Sequence, residues 1–529
     1  MRDFQLPGRS TVHAINGMAA TSQPLATLAA IGMLQRGGNA VDAAITASAV
    51  LGVVEPQSTG IGGDCFALLV PGGEGKVVAL NGSGRAPAAA TPDWYAGRGI
   101  TAIDRFSPHA VTVPGAVDAW ARLLQDHGTR DFEEVLAPAI RYAEEGYVVA
   151  PRVARDWAVE AKSLAGDENA RRIFLPGGKP PAAGEVHRQP ELAATLRLIA
   201  KQGRAGFYEG AVAEEIVDYL RLKGGLHSLD DFADNAPEYV TPIQTSYGGL
   251  DVHQIPPNGQ GIAVLIMLNI LAGFDLSAMD PLGARRLHLE AEAKRLAFHV
   301  RDTLVGDPSQ VAVPVEEILS AGYAERLRRS ISEDMAMGLN ALDQVPTHPD
   351  TVYLCVVDRD RNVVSFINSI FDGFGSGLVT PKSGILLHSR GTGFVLTEGH
   401  PNCIGPGKRP LHTIIPGLAM QGGRAVMPYG VMGAQFQPTG QVHLLTNILD
   451  YGMDLQEALD CPRAFHDGEV LGIENGISDR TADELRARGH EVVRLKEPLG
   501  GGQAIWIDWE KGTLTGASEP RKDGCALGY

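Results

Sequence analysis

Apolar residues recur at helical spacing over residues 24–36 (Leu25, Leu28, Ala29, Met33), with Pro24 suited to a first turn and Gly37-Gly38 ending the run. Asn39 is placed to cap a second helix through Asp42, Ile45 and Val50 to Val54, stopped by Pro56. Both predicted helices are rich in Ala, which lets backbones pack closely. After the turn Gly60-Ile61-Gly62-Gly63 the pattern becomes an apolar run at 66–70, a buried strand. Residues 114–273 read as mostly helical, with long loops at 176–183 and 235–242 and an apolar helix at 262–271; another helix covers 284–303. Helical signals fade after Leu342. Strands are expected at 351–357, 363–370, 384–388 and 425–427, with the last around 504–507 and 514–516. A helix-rich first two-thirds and a strand-rich last third, with strands at both ends, predict an α+β sandwich whose sheets draw on distant parts of the chain.

Length changes this picture little: 529 residues suit three or four domains of about 150 residues, or one large intertwined fold. Composition does more by exclusion. With 44% hydrophobic and 20% charged residues the chain is globular, and a net charge of −16 argues against nucleic acid or an anionic membrane as partner. Five scattered cysteines exclude a disulfide scaffold and a zinc ribbon. Arg2, Asp3, Arg9 and His13 interrupt the first stretch, and the soft run at 43–54 is too short to span a bilayer, so a soluble, cytoplasmic protein is expected.

Familiar nucleotide and hydrolase motifs are incomplete. Gly407-Lys408-Arg409 and Gly75-Lys76-Val77 lack the hydroxyl of a phosphate loop, and the Gly60–Cys65 turn lacks the last glycine of a dinucleotide loop. Ser83 is not in a nucleophile elbow. His288 and Glu292 lie one helical turn apart without an obvious third metal ligand, and no motif for a metal or organic cofactor is present.

Residues 350–377 carry more chemistry. Two β runs flank the polar turn 358–362, so a hairpin brings Ser369, late in the second strand, back alongside Thr351, at the start of the first; a glycine-rich loop follows at 373–377. Local physics alone reads this as a hairpin with a flexible loop. Together with Gly38-Asn-Ala-Val-Asp-Ala-Ala44, Pro406-Gly-Lys-Arg-Pro-Leu411 and Pro520-Arg-Lys-Asp-Gly524, it resembles the γ-glutamyltransferase (glutathione hydrolase) family, in order and spacing, from about residue 17 to the end.

The resemblance implies an N-terminal-nucleophile hydrolase with an αββα four-layer core, formed by a precursor that cuts itself between Asp350 and Thr351. Residues 1–350 would be the large chain and 351–529 the small one, with Thr351 as the new N-terminal nucleophile. A freed α-amine, with a reference pKa near 7.8, is a base suited to that hydroxyl at neutral pH. Ser369 falls where the family has a Thr bonded to the nucleophile. Gly433 and Ala434, in Gly430-Val-Met-Gly433-Ala434-Gln435, fall on its oxyanion-hole loop; the alanine is tolerable there if its φ is negative and costly otherwise.

The glutamate clamp of the glutathione enzymes does not carry over. Ser83 stands where the family has its carboxylate-binding Arg, with Arg85 two residues on. Phe371 replaces the ammonium-binding Asn, Arg390 and Gly393 replace a Gln and an Asp, and His412 and Thr413 replace paired Ser residues. The 394–406 segment is also shorter than in the glutathione enzymes. Cations that could meet a carboxylate remain (Arg390, Arg85, His412), while the anion for an ammonium is gone. The expected substrate is therefore a small amide bearing a carboxylate but no α-amino group: an oxamate-type monoamide first, a dicarboxylic acyl amide next. A γ-glutamyl hydrolase or transferase with a rearranged clamp, and a non-cleaving binding scaffold, are the alternatives. The partners expected are the substrate and the two chains of one precursor; oligomeric state stays open, a dimer of heterodimers being one arrangement.

Overall fold

Strand Val352–Val357 shows why the layers form. All six residues are buried: Tyr353, Cys355 and Val357 enter a core shared by two sheets, and Val352, Leu354 and Val356 enter another beneath helices. A strand covered on both faces has no polar positions to alternate with, which is why it reads as a continuous apolar run. Asp64–Val70 follows the same rule, with Phe66, Leu68 and Val70 facing the sheet and Cys65, Ala67 and Leu69 facing the helices.

The computed structural model describes residues 8–338 and 351–529. One seven-stranded sheet runs Cys525–Gly528, Met18–Thr21, Val352–Val357, Val363–Ser369, Asp64–Val70, Val78–Gly82, Glu238–Val240. The other runs Val12–Ala14, Thr513–Ser518, Gly501–Asp508, Arg424–Met432, Gly417–Gln421, Leu250–Gln254, Ile243–Tyr247. Each sheet mixes strands from before and after residue 351.

Helices Pro24–Gln35, Ala40–Val54, Ala116–His127, Phe132–Glu145 and Pro190–Gln202 cover the first sheet. Gly261–Leu271, Ala284–Leu304 and Gln437–Leu449 cover the second, completing an αββα four-layer sandwich. Ala40–Val54 is buried along its whole length and starts with a capping box between Asn39 and Asp42. Among the described residues no helix is long and apolar enough to cross a membrane.

Two expectations need correction. The mostly helical stretch contains the strands Glu238–Val240, Ile243–Tyr247 and Leu250–Gln254: the first and third pair with Val78–Gly82 and Gly417–Gln421, far along the chain, and Ile243–Tyr247 closes a hairpin on Leu250–Gln254. Residues 384–388 form no regular strand; Leu386 and Leu387 make only isolated bridges to Val379 and Gly62.

Candidate active site

The hairpin register pairs Val352 with Asn368, which sets Thr351 opposite Ser369. Their hydroxyl oxygens are 3.1 Å apart and both residues are buried. Ser369 Oγ also accepts from the Phe371 backbone N–H at 2.9 Å and from Arg390 Nη2 at 3.4 Å. Either hydroxyl can donate in the Thr351–Ser369 hydrogen bond. The Gly60–Gly63 turn lies against this pair so closely that a Cβ on Gly63 would sit 2.3 Å from the Ser369 carbonyl oxygen.

Arg390 is fully buried. Nη1 donates to Thr413 Oγ1 at 2.9 Å, and the guanidinium lies 4.1 Å over the Phe371 ring. Phe371 adopts φ 79, a rare conformation for a bulky residue, and its backbone N–H reaches Ser369 Oγ from there. Burial lowers the Arg390 pKa to about 10, against the pull of Asp64 and Asp372, so it stays charged at neutral pH.

Behind Arg390 sits Asp64, a residue to which the sequence assigned no role. Its Oδ1 accepts from the Gly84 and Gly115 N–H groups at 2.9 and 3.2 Å. Its Oδ2 lies 3.0 Å from His412 Nε2, 3.2 Å from His388 Nδ1 and 3.7 Å from Arg390 Nε. Burial alone would raise the Asp64 pKa; the His388 charge and the hydrogen bonds from His388 and His412 outweigh it and hold the carboxyl well below the usual carboxylate range. An ionisable residue opening a buried apolar strand straight after a glycine turn was the available signal.

Gly433 (φ 122) and Ala434 (φ 44) turn the chain from strand Arg424–Met432 into helix Gln437–Leu449. Gln260 ties this turn to the arginine: its Nε2 donates to Ala434 O at 3.0 Å and Thr413 O at 2.7 Å. Its Oε1 accepts from Arg301, which also holds Gln435 Oε1, each at 2.6 Å. The φ of Ala434 is therefore the costly case. A left-handed alanine is strained by about 1 kcal/mol, and glycine in its place keeps the same backbone N–H. Ala434→Gly is expected to raise Tm by about 1–2 °C with activity retained; a fall in Tm by differential scanning calorimetry would contradict the strain.

Thr351, Ser369, Phe371, Arg390 and Thr413 thus form one contiguous group, with the Gly433–Ala434 turn linked through Gln260. Two expected carboxylate ligands lie elsewhere. Arg85 pairs with Glu238 at 2.6 Å and Asp307 at 3.6 Å and donates to Gly407 O, so its charge is already matched. His412 is fully buried, with Nε2 on Asp64 and Nδ1 accepting from Ile414 N–H at 3.4 Å. Burial, with the Arg390 charge adding to it, lowers the His412 pKa to about 3; neutral, it supports Asp64 and is no cation for a substrate. Asp350 lies outside the described residues.

His288 and Glu292 do gain a third ligand-type neighbour, His490, with ligand atoms within 4.8 Å of one another. Each is in use. His288 bridges His490 Nε2 and Ser332 O, both at 2.7 Å, while Glu292 takes Arg295 at 3.1 Å and the Met337 N–H at 2.9 Å. The Arg295 cation stands where a metal's charge would be repelled, and the group acts as a tie between helix Ala284–Leu304 and residues 332–338.

A four-layer αββα sandwich with a hydroxyl residue opening a central strand defines the N-terminal-nucleophile hydrolase class. The γ-glutamyltranspeptidase family model matches residues 26–529, and the chain belongs to that family. It is 38% identical to the glutathione hydrolase-like YwrD proenzyme of Bacillus subtilis (strain 168), over 97% of this chain and 98% of that protein. It is 34% identical to the oxamate amidohydrolase proenzyme of Klebsiella pneumoniae, over 97% and 98%. The crystal structure of cephalosporin acylase from Bacillus halodurans superimposes with a TM-score of 0.93 at 40% identity, covering 100% of this chain and 99% of that one.

Proposed function

We propose that the protein is a self-processing amidohydrolase that cleaves the amide of a small, carboxylate-bearing acyl group lacking an α-ammonium, through an ester on Thr351. The Thr351–Ser369 pair carries this reading, because it sets a second hydroxyl 3.1 Å from the oxygen that becomes nucleophilic, at the head of a buried central strand. The proenzyme names of the two relatives support a self-cleaving precursor, whose cut is assigned between residues 350 and 351.

In maturation Thr351 Oγ1 attacks the carbonyl of residue 350. The acyl group of residue 350 shifts from the Thr351 nitrogen to Oγ1 as the C–N bond breaks, freeing the α-amine, and water then hydrolyses the ester to give the carboxylate of residue 350 and the Thr351 hydroxyl. In turnover that amine takes the hydroxyl proton as Oγ1 attacks the substrate amide carbon. The proton passes to the leaving nitrogen as the C–N bond breaks, and water then releases the acid and restores the hydroxyl. Backbone N–H groups of Gly433 and Ala434 are assigned to the oxyanion, where one donor is worth about 3 kcal/mol. Arg390 and Thr413 are assigned to the substrate carboxylate.

An α-ammonium would face the Arg390 cation. The nearest anion behind it, Asp64, already holds two backbone N–H groups and His412. Profiling the purified protein with oxamate, a glutaryl anilide and a γ-glutamyl anilide tests this. The γ-glutamyl compound is expected to trail by about 5- to 150-fold in kcat/KM, since an ammonium without its hydrogen bonds loses about 1–3 kcal/mol. A preference for the γ-glutamyl anilide would move the assignment to glutathione-type hydrolysis.

A further inference from the structure

We propose that Asp64 is a positioning residue of this site, anchoring Arg390 and, through it, the Ser369 hydroxyl that serves Thr351. The inference rests on the reading of Thr351 as nucleophile.

Asp64 lies behind Arg390 with both oxygens already engaged by protein groups, so it acts through other groups and not on substrate. It is also rigidly placed. It opens strand Asp64–Val70, where its register partner in the neighbouring strand is Ser369. One ladder rung therefore fixes the anion on one strand and the nucleophile's partner on the next, and Arg390 touches both: Nε faces Asp64 Oδ2 at 3.7 Å and Nη2 meets Ser369 Oγ at 3.4 Å. Asp64 Oδ1 is fastened to backbone at Gly84 and Gly115, while Oδ2 keeps its charge toward the arginine, supported by His412 and by His388, which is itself held on Thr112 O at 2.9 Å. The Arg390–Asp64 contact is longer than a hydrogen bond, so it works by charge. It orients the guanidinium while the two Nη groups engage the Ser369 and Thr413 hydroxyls.

Replacing the carboxylate by an amide tests this. In Asp64→Asn the Oδ1 role is kept, and an NH2 group lands opposite His412, His388 and Arg390, displacing the guanidinium from Ser369. The Arg390 charge is left with Asp372 alone to offset it. Turnover of an anionic amide is therefore expected to fall about 10–100-fold while KM stays level or drops, a split that general loosening of the fold does not produce.

The decisive measurement is a double-mutant cycle with Arg390→Met, in steady-state kinetics and in the half-time of self-cleavage followed by intact mass. If Asp64 works through Arg390, adding Asp64→Asn to Arg390→Met costs less than about threefold further. Losses that multiply, or an Asp64→Asn enzyme with unchanged kcat, overturn the proposal. Should Asp64→Asn not fold, His412→Asn, which removes one support of Oδ2, is run through the same cycle with a smaller loss expected and the same criterion. An uncut, inert wild type would instead refute the parent reading of Thr351, and the role of Asp64 with it; an active wild type with a multiplicative cycle refutes Asp64 alone.

Discussion

Thr351→Ala is expected to remain one 529-residue chain under denaturing intact-mass analysis, where the wild type separates into residues 1–350 and 351–529. The loss should be complete, because the methyl group removes both the atom that attacks the carbonyl of residue 350 and the hydrogen-bond partner of Ser369 Oγ. Amide hydrolysis should vanish with it, since the same oxygen carries the acyl group and its base is the amine that cleavage sets free. An α-amine of reference pKa near 7.8 is about 30% unprotonated at pH 7.4, whereas a lysine near 10.4 would offer about 0.1%. The two wild-type chains should nevertheless co-elute under native conditions. Val352–Val357 is hydrogen-bonded between Met18–Thr21 and Val363–Ser369, and Arg424–Met432 shares its sheet with Leu250–Gln254, so separating the pieces means dismantling both sheets. A Thr351→Ala chain that is still cut at the same bond would remove Thr351 from the mechanism. A wild type that stays whole would leave the binding scaffold as the reading.

What the sequence disclosed divides along the range of the interactions concerned. The helix at 24–35, the Asn39 cap and the hairpin that sets Thr351 opposite Ser369 depend on neighbours a few to some twenty residues away, and these were legible. The strands Glu238–Val240 and Leu250–Gln254 depend on ladders to residues over 150 positions off, and helical texture around them hid that. The charged residues failed in the same way. Arg85 looked available because Glu238 and Asp307, which neutralise it, are remote in sequence, and His412 looked like a cation for the substrate carboxylate because Asp64, its partner, lies 348 residues earlier. A side chain's chemistry can be read from its type, but whether its charge is already matched depends on the fold. Arg390 also has a charge behind it, at Asp64, but its Nη groups meet the hydroxyls of Ser369 and Thr413, whose bonds a substrate oxygen can replace.

Arg390→Met should therefore change which acyl groups are accepted, and not only how fast. Methionine conserves much of the buried stem and its contact with Phe371 while removing the charge and the fork. For a glutaryl anilide two contributions are lost together: the ion pair with the distal carboxylate, worth about 2–3 kcal/mol in a buried, hydrogen-bonded pair, and the polarisation of Ser369. For an uncharged pentanoyl anilide of the same length only the second is lost. The expected result is a fall in kcat/KM of about 1,000-fold on the anionic anilide against about 10–30-fold on the neutral one, so that the preference for a carboxylate collapses. Arg390→Lys should fall between, since an ammonium keeps the charge but cannot hold two hydroxyls and a carboxylate in one plane. Equal losses on both anilides would mean that Arg390 never meets the substrate and acts wholly through Ser369. The carboxylate assignment would then fail, while the part played by Asp64 behind the arginine would stand on its own cycle. Because the two anilides differ only in a carboxylate against a methyl group at the end of the acyl chain, their ratio separates recognition from positioning within a single enzyme preparation.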